Sequence, residues 1–409
     1  MHVIIVSDYA HINGGQAKVS IESALGLAAR GHKVEYFSAV GPIDPRMPAA
    51  GIQVECLGQG DRDQTSALAF LGQTLWNRKA ASRLAEVIAA SDPADTLVHV
   101  HAWAKAISPS IGPVLARSGR GLVYTMHEFF LVCPTGGLYN YQSAKPCELA
   151  PMSLACVGAH CDSKTYGHKL LRVARSSLVN MGGLKSACPH VVTISQLQFD
   201  VTHDHMPKTV KWHRVDNPID AEDIGPKAGA GREFLFVGRL SREKGIDIFC
   251  EAARRAGVTA VIAGDGSLGP DLRARYPEAR FLGWKTPQET RALMREARAL
   301  VFPSVWYEGQ PLTVFESLAM GTPVIVSDVC AGREAVADGE NGLWFKSADV
   351  DSLAAAIKRL SDTEEAERMT RNAHQRYWSA PLDMDRHLDA IERVYVAALS
   401  DASAARRAA

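Results

Sequence analysis

A chain of 409 residues is too long for one ordinary core and long enough for two or more domains. Its formal net charge is zero, so nothing draws it globally toward nucleic acid, and its 46% hydrophobic content is that of a globular protein. No apolar run reaches about 18 residues, which excludes a transmembrane helix.

The first residues, Met1 to Asp8, predict a buried strand over Val3–Val6. They lack the basic start and long apolar core of a secretory leader, so a cytoplasmic address is expected, with the eight cysteines as reduced thiols or metal ligands. Gly14 and Gly15 follow that strand and allow close backbone approach to a ligand, though a plain flexible turn has the same composition. Apolar spacing predicts a helix over Gln16–Arg30, stopped by Gly31, and a strand over Lys33–Ser38. Asp61 and Asp63 read as surface charge, as do Asp383 and Asp385, because neither pair follows an apolar strand. Thr96–Val100, Gly121–Met126 and His190–Ile194 complete the strands of this half. Such alternation of strand and helix is the pattern of a parallel sheet covered on both faces. Ligands of such sheets bind beyond the carboxyl ends of the strands, which places His127 and Glu128 in a cleft, while His99 and His101 alternate across another strand end.

Cys133, Cys147, Cys156 and Cys161 fall in an insertion, 133–161, that is rich in Pro and Gly and has little regular patterning. Such a segment buries little core of its own, and a tetrahedral zinc would fix it. The spacing lacks a C-x₂₋₄-C pair, so four reduced thiols or a disulfide compete with zinc. Lys164 to Lys185 then carries Lys164, Lys169, Arg172, Arg175 and Lys185 without an acidic residue, over an apolar face at helical spacing. One reading is peripheral contact with an anionic membrane, and the other is a core-packed helix with a solvated basic face.

Residues 218–231 hold Pro218, Gly225, Pro226, Gly229 and Gly231 and predict a linker between domains 1–217 and 232–378. The second half alternates again: strand Glu233–Val237, helix Gly245–Ala256, strands Ala260–Ala263 and Arg280–Leu282, helix Glu289–Glu296 and strand Ala299–Phe302. Arg239 and Lys244 follow the first of these strands, within reach of a diphosphate at the strand ends. Gly264 to Gly269 matches G-x-G-x-x-G but follows the second strand of its half, which argues against a nicotinamide fold. After Phe302 a polar loop carrying Glu308 opens a helix at Pro311 or Leu312. Glu316 lies inside it, Gly321 closes it, and strand Pro323–Val326 follows. Helix N-termini offer free N–H groups and a positive dipole end to phosphates. The closing segment, 379–409, carries a helical pattern over Leu388–Leu399, and its small, basic last residues are expected to fray.

With these residues assembled, the chain resembles the retaining glycosyltransferases of family 4 (glycosyltransferase group 1) along essentially its whole length. The family's E-x₇-E motif lands on Glu308 and Glu316, and its G-R-L-x-x-x-K-G motif on Gly238, Arg239, Leu240, Lys244 and Gly245. The glycine loop lands on Gly14 and Gly15, and the T-x-H-[DE] motif on Thr125, His127 and Glu128. The junction motif N-G-[VI]-D appears as Asn217-Pro218-Ile219-Asp220, with proline in place of glycine. The Cys-rich stretch resembles members acting in bacterial surface polysaccharide synthesis.

The resemblance implies the α/β GT-B fold: two Rossmann-like doubly wound domains facing a deep cleft, an N-terminal one for the acceptor and a C-terminal one for the nucleotide sugar. It also implies a C-terminal helix crossing back to the first domain. Arg239 and Lys244 would hold the donor diphosphate, with Gly238 beside them. Glu308 would contact the donor sugar, and His127 would sit near the reacting carbon. The stretch Gly309, Gln310, Pro311, Leu312 and Thr313 would meet sugar and phosphate through its backbone, and Glu316 would bind the ribose hydroxyls. The reaction needs no cofactor on this reading. Its substrates would be a nucleotide-sugar donor, UDP favoured over GDP-mannose, and a saccharide or lipid-linked acceptor at the inner face of the membrane. An epimerase or phosphorylase of the same fold, or an inactive binding homologue, is the alternative.

Overall fold

The computed structural model describes residues 1–60 and 66–408; Asp61 and Asp63 lie outside them. The first sheet holds β1 (His2–Tyr9), β2 (Lys33–Val40), β3 (Gln53–Cys56), β4 (Thr96–Val100) and β5 (Gly121–Met126). A two-stranded hairpin, β6 (Tyr139–Asn140) and β7 (Lys145–Pro146), comes next, and β8 (His190–Thr193) and β9 (Lys211–Arg214) complete the first sheet. The second sheet is formed by β10 (Phe234–Val237), β11 (Ala260–Ala263), β12 (Arg280–Gly283), β13 (Ala299–Phe302), β14 (Val324–Ser327) and β15 (Gly342–Phe345). The strand orders are β3-β2-β1-β4-β5-β8-β9 and β12-β11-β10-β13-β14-β15, with parallel pairing throughout both. Sequence patterning passed over β3, β9 and β15. All three are edge strands of their sheets, where burial on both faces does not impose a continuous apolar run.

Each sheet reverses its strand order once, at β1/β4 and at β10/β13. In open α/β sheets a crevice forms at that reversal, beyond the carboxyl ends of the strands. Gly14 and His101 follow β1 and β4; Arg239 and Glu308 follow β10 and β13. The fold therefore gathers the motif residues at two reversals that face one another.

The chain crosses between the domains twice, and the crossings run side by side. The Ile219 N–H donates to the Leu382 carbonyl at 2.7 Å. A His387 ring nitrogen lies 2.8 Å from the Asp216 carbonyl. The last helix, Met384–Ala408, then returns to the first domain. Its Leu388, Ile391, Val394, Tyr395 and Ala398 join Val3, Ile5, Ile21, Leu97 and Val123 in one apolar cluster. The expected fraying of the tail does not occur within the described residues. The helix runs on to Ala408, and Arg406 donates to the Gly119 carbonyl at 2.6 Å. Asp383 caps this helix by accepting from the Arg386 N–H at 2.8 Å, and Asp385 pairs with Arg30 at 2.8 Å.

The insertion is held in a way the sequence did not indicate. Helix Tyr166–Met181 turns its cations inward. Lys169 is 0% exposed, with its ammonium 3.2 Å from Cys161 Sγ and 3.6 Å from Cys156 Sγ. Arg172 donates to the Thr135 carbonyl at 3.1 Å and pairs with Asp162 at 3.0 Å. Arg175 donates to the carbonyls of Ala104 and Pro134 at 2.7 and 3.1 Å and covers the Phe130 ring at 4.5 Å. The expected solvated basic face is thus, at three of its five cations, a clamp on the insertion.

Lys169 reaches into the four-cysteine stretch on which the sequence allowed a zinc. All eight cysteines are free thiols, and no three His, Cys, Asp or Glu side chains among the described residues are placed to hold a metal ion. A buried ammonium stands among the sulfurs. Burial works against that charge, but Cys161, with Cys156 and Cys133 near, outweighs it and holds the Lys169 pKa above its usual value.

Candidate active site

Glu308 follows β13 and is held by a dense set of contacts. Lys244 Nζ makes an ion pair with Glu308 Oε1, and Ser304 Oγ donates to the same oxygen at 2.9 Å. The ammonium also lies 5.7 Å from the Phe302 ring centre and 5.9 Å from that of Trp306. Burial alone would push the Glu308 carboxyl up. The Lys244 charge and hydrogen bond, aided by Ser304 and the adjacent Trp306, outweigh it and hold it below the usual carboxylate range. The Trp306 indole N–H is buried and makes no hydrogen bond of good geometry. It faces Glu308 at the wall of the site.

Lys244 is placed by a tight turn. Gly245 has φ of +65°, and a Cβ there would come within 2.1 Å of the Pro303 carbonyl oxygen. The β10 and β13 loops therefore pass backbone against backbone. The Val305 N–H and the Ser304 hydroxyl both donate to the Glu243 carbonyl, at 2.9 and 3.2 Å. Arg239, by contrast, is 67% exposed at its side chain and is tethered by Glu243 at 3.3 Å. Glu243 is itself buried and accepts from Ser241 at 2.6 Å. Arg239 is thus an exposed cation held at one side by Glu243, with guanidinium N–H groups left for an anion arriving from solvent.

Helix Leu312–Ala319 begins behind Pro311, an extended residue with no side-chain cap; the Val314 N–H donates to the Pro311 carbonyl at 3.0 Å, and the N–H groups of Leu312 and Thr313 have no partner within the helix. Glu316 lies in its second turn. Burial pushes its carboxyl up, opposed by Lys18 from the first domain and by Arg291, and the carboxylate has no hydrogen bond or ion pair among the described residues. The two glutamates therefore differ: one is fully engaged and the other stands open. Gln310 is used structurally, accepting from the Asn217 N–H at 2.6 Å at the junction. Gly309 packs against the first domain, where a Cβ would meet Ile194 at 3.1 Å.

The opposite wall comes from the first domain. Gly14 has open space where a side chain would be, and a Cβ on Gly15 would lie 3.7 Å from Leu312. The glycine loop therefore faces the helix N-terminus across the cleft. His127, at the end of β5, stacks on His101 with ring centres 5.2 Å apart. Burial, and then the charge of His387, push the His127 pKa down to about 3, so its ring is neutral. The insertion roofs the site: a Cβ on Gly137 would lie 3.3 Å from the Trp306 ring, and Arg242 donates to the Tyr141 carbonyl at 3.4 Å. Beyond Tyr307 a cavity of about 650 Å³ opens between the β6–β7 hairpin and the ends of β14 and β15, with Lys145, Glu148, Tyr307 and Ser347 in its walls. In strand order it lies on the far side of Glu308 from β10 and Arg239.

Sequence reasoning missed Ser304, Trp306, Glu243 and Lys18. The first two had a signal, since they alternate with Glu308 along an extended loop after β13. Glu243 and Lys18 had none, because their role depends on partners outside their own segment.

The buried histidines carry an expected result. Burial lowers His99 and His101 well below the ordinary imidazole value, as it lowers His127. All three stay neutral in the fold while the unfolded chain takes up protons near pH 6.5. Stability should fall on acidification from pH 7 to 5, by up to about 1.4 kcal/mol per pH unit for each ring. Glu316, raised by burial, works in the opposite sense. Urea melts across this window check the sign, and a flat profile would show that the rings are not held neutral.

Residues 231–363 match the family model described as glycosyl transferases group 1. The glycogen synthase of Mycobacterium tuberculosis is 36% identical over 185 residues, 42% of this chain and 44% of that protein. An Escherichia coli UDP-Gal:alpha-D-GlcNAc-diphosphoundecaprenol alpha-1,3-galactosyltransferase is 26% identical over 209 residues, 44% of this chain and 53% of that one. The chain thus spans about half the length of these curated relatives. Similar solved structures match from end to end. The sucrose-phosphate synthase of Thermosynechococcus elongatus superposes with a TM-score of 0.70 at 19% identity, over 98% of this chain and 99% of that one. Anabaena HepE in complex with UDP gives 0.65 at 19%, over 97% and 100%. The expected GT-B architecture, two Rossmann-like domains with a returning C-terminal helix, is the fold of this protein.

Proposed function

We propose that this protein is a group 1 glycosyltransferase. It moves a sugar from a nucleotide-diphosphate donor to a saccharide or lipid-linked saccharide, with retention of configuration. The observation that carries the reading is the unequal pair of glutamates around one uncapped helix N-terminus. Glu308 is locked by Lys244 where a sugar would sit, Glu316 is half-buried and without a hydrogen bond or ion pair among the described residues where ribose hydroxyls would donate to it, and Arg239 is exposed toward a diphosphate between them. The reaction needs the leaving diphosphate stabilised and the acceptor hydroxyl aligned. Arg239, Lys244 and the free N–H groups of Leu312 and Thr313 meet the first need. His127 lies where the sugar would meet the acceptor.

UDP is the favoured nucleotide. Solved neighbours of similar fold hold UDP and glucose, and one relative's name specifies a UDP-sugar and a diphosphoundecaprenol-linked acceptor. The cavity beyond Tyr307 suits the acceptor saccharide, having hydroxyl, amine and carboxylate groups beside apolar walls. Peripheral membrane contact fits a lipid-linked acceptor. With Lys169 and Arg175 turned inward, it would use the apolar residues left exposed on this region, among them Leu154, Leu170 and Met181 at 94, 43 and 81% exposure.

A thermal-shift panel of UDP-, GDP- and ADP-sugars tests the donor, because a bound ligand raises the melting point by mass action. Glu316→Ala should weaken donor affinity about 10- to 100-fold, since charged hydrogen bonds are worth roughly 1.5–3 kcal/mol, while turnover at saturation changes little. Unaltered donor affinity in this variant would remove Glu316 from the site. Conversion of donor without acceptor would point to an epimerase, and dependence on inorganic phosphate to a phosphorylase.

A further inference from the structure

After β8 the first domain forms a short helix, Gln196–Asp200, whose start meets the second domain. The first N–H groups of a helix have no partner of their own within it. Ser195 caps one of them, its Oγ accepting from the Gln198 N–H at 3.1 Å. Two more are taken by a carboxylate from across the cleft. Glu334 Oε2 accepts from the Gln196 N–H at 3.0 Å, and Oε1 from the Leu197 N–H at 2.8 Å. Arg214, the last residue of β9, pairs with the same carboxylate at 2.9 Å. The Glu334 side chain is 19% exposed, and charge-assisted hydrogen bonds strengthen as water is thinned around them.

Glu334 ends a single turn, Ala331–Glu334, that follows β14. The first residue of that turn is bonded to the site, since the Ala331 N–H donates to the Glu308 carbonyl at 3.2 Å. Gly332, the second, packs under the helix start, where a Cβ would come 3.2 Å from Pro311 and 3.3 Å from Val314. Gly309 lies against the same short helix of the first domain: a Cβ there would be 3.1 Å from Ile194 and 3.4 Å from the Gln198 amide nitrogen. One turn of the second domain therefore touches the backbone of Glu308, the start of helix Leu312–Ala319 and, through Glu334, the first domain. The three partners of the carboxylate, Gln196, Leu197 and Arg214, all belong to the first domain, so these bonds exist only while the cleft is closed.

We infer that Glu334 is a positioning residue: it latches the second domain onto helix Gln196–Asp200 of the first and so holds the Glu308 loop against the wall that carries His127. When the domains part, water satisfies the carboxylate, the guanidinium and the two N–H groups. The net weight of such bonds is modest, so the latch favours closure without preventing entry of a donor. The latch stands on the contacts above; its use in sugar transfer rests on the proposed function.

The test breaks the latch from each side. Glu334→Ala removes the acceptor. Gln196→Pro removes one donor and keeps the helix, because proline is favoured at the first helical position. Ser195, at φ −159° and ψ 162°, already has the extended backbone that a following proline requires. Gln196→Ala keeps the N–H and serves as control. Small-angle X-ray scattering of the full chain without ligand should give a larger radius of gyration for Glu334→Ala, a smaller increase for Gln196→Pro and none for Gln196→Ala. The double variant Glu334→Ala, Gln196→Pro should match Glu334→Ala, since both changes remove one shared contact. Release of UDP from the best UDP-sugar should fall about 10-fold in Glu334→Ala, the weight of one hydrogen bond to a charged group, with the Kd for UDP changed less than about 2-fold. Gln196→Pro, with a smaller fall, carries the test if Glu334→Ala folds poorly. Wild-type dimensions in both single variants, a double variant more open than Glu334→Ala, or an opened cleft with unaltered UDP release would each overturn the inference. Opening on loss of Glu334, in a protein whose wild type turns over no nucleotide sugar, would uphold the latch and defeat the proposed function.

Discussion

Lys244→Ala is expected to lower turnover about 100- to 1,000-fold, the usual effect of removing one charge-stabilising donor from a preorganised site. It should also weaken the fold by about 3 kcal/mol, because a buried carboxylate then loses its cation. Both effects have one origin, the ion pair of Lys244 with Glu308. The depressed Glu308 carboxyl contributes stability that is present above its unfolded-state value and lost as pH falls through its folded value. In the alanine variant burial, which pushes that carboxyl up, is opposed only by the hydrogen bonds from Trp306 and Ser304, so the contribution shrinks. The double variant Lys244→Met, Glu308→Gln separates the two roles. It leaves no unpaired buried charge, so urea melts should show most of the stability restored, while diphosphate release stays low. Diphosphate release at the wild-type rate in the single variant would remove Lys244 from the chemistry.

Gly245→Ala should have the largest effect on folding among conservative changes at the site, about 3–5 kcal/mol. A left-handed backbone disfavours any Cβ by roughly 1–2 kcal/mol, and here the added atom would sit 2.1 Å from the Pro303 carbonyl oxygen. Neither backbone can yield without moving Lys244 or the loop to Glu308, so activity should fall with stability. Gly257→Ala is the matched control. Its φ is +71°, but the space around it is open, so it should show only the conformational term of roughly 1–2 kcal/mol. Equal melting points for the two variants would mean that the loops after β10 and β13 are not in contact.

Much of this site was legible in the sequence because its parts are local. Glu308 and Glu316 are positioned by one strand, one loop and one helix, and each of these has its own signal: an apolar run, a polar break and a glycine stop. Gly245 is legible for the same reason, since a single backbone angle demands it. The cations of helix Tyr166–Met181 were not legible. Helical spacing shows which residues share a face but not what that face meets. The partners of Lys169, Arg172 and Arg175 are sulfurs and carbonyls of the insertion and of the loop after β4. A run of cations without acids therefore looked like a solvated face and proved to be a clamp. The cysteines show the same point, because spacing along the chain did not reveal that a lysine from outside their own stretch stands beside Cys156 and Cys161.

The chain by itself determined that there are two parallel sheets, where most of their strands lie, and which motif residues stand at strand ends. Those are consequences of hydrophobic period and turn chemistry, which act over a few residues. The tertiary structure alone decided which ends face each other, that Glu308 is paired and Glu316 open, and that the hydroxyl of Tyr395 reaches His99 across 296 residues of sequence. Burial and distance between remote segments set protonation, and neither can be read from spacing along the chain.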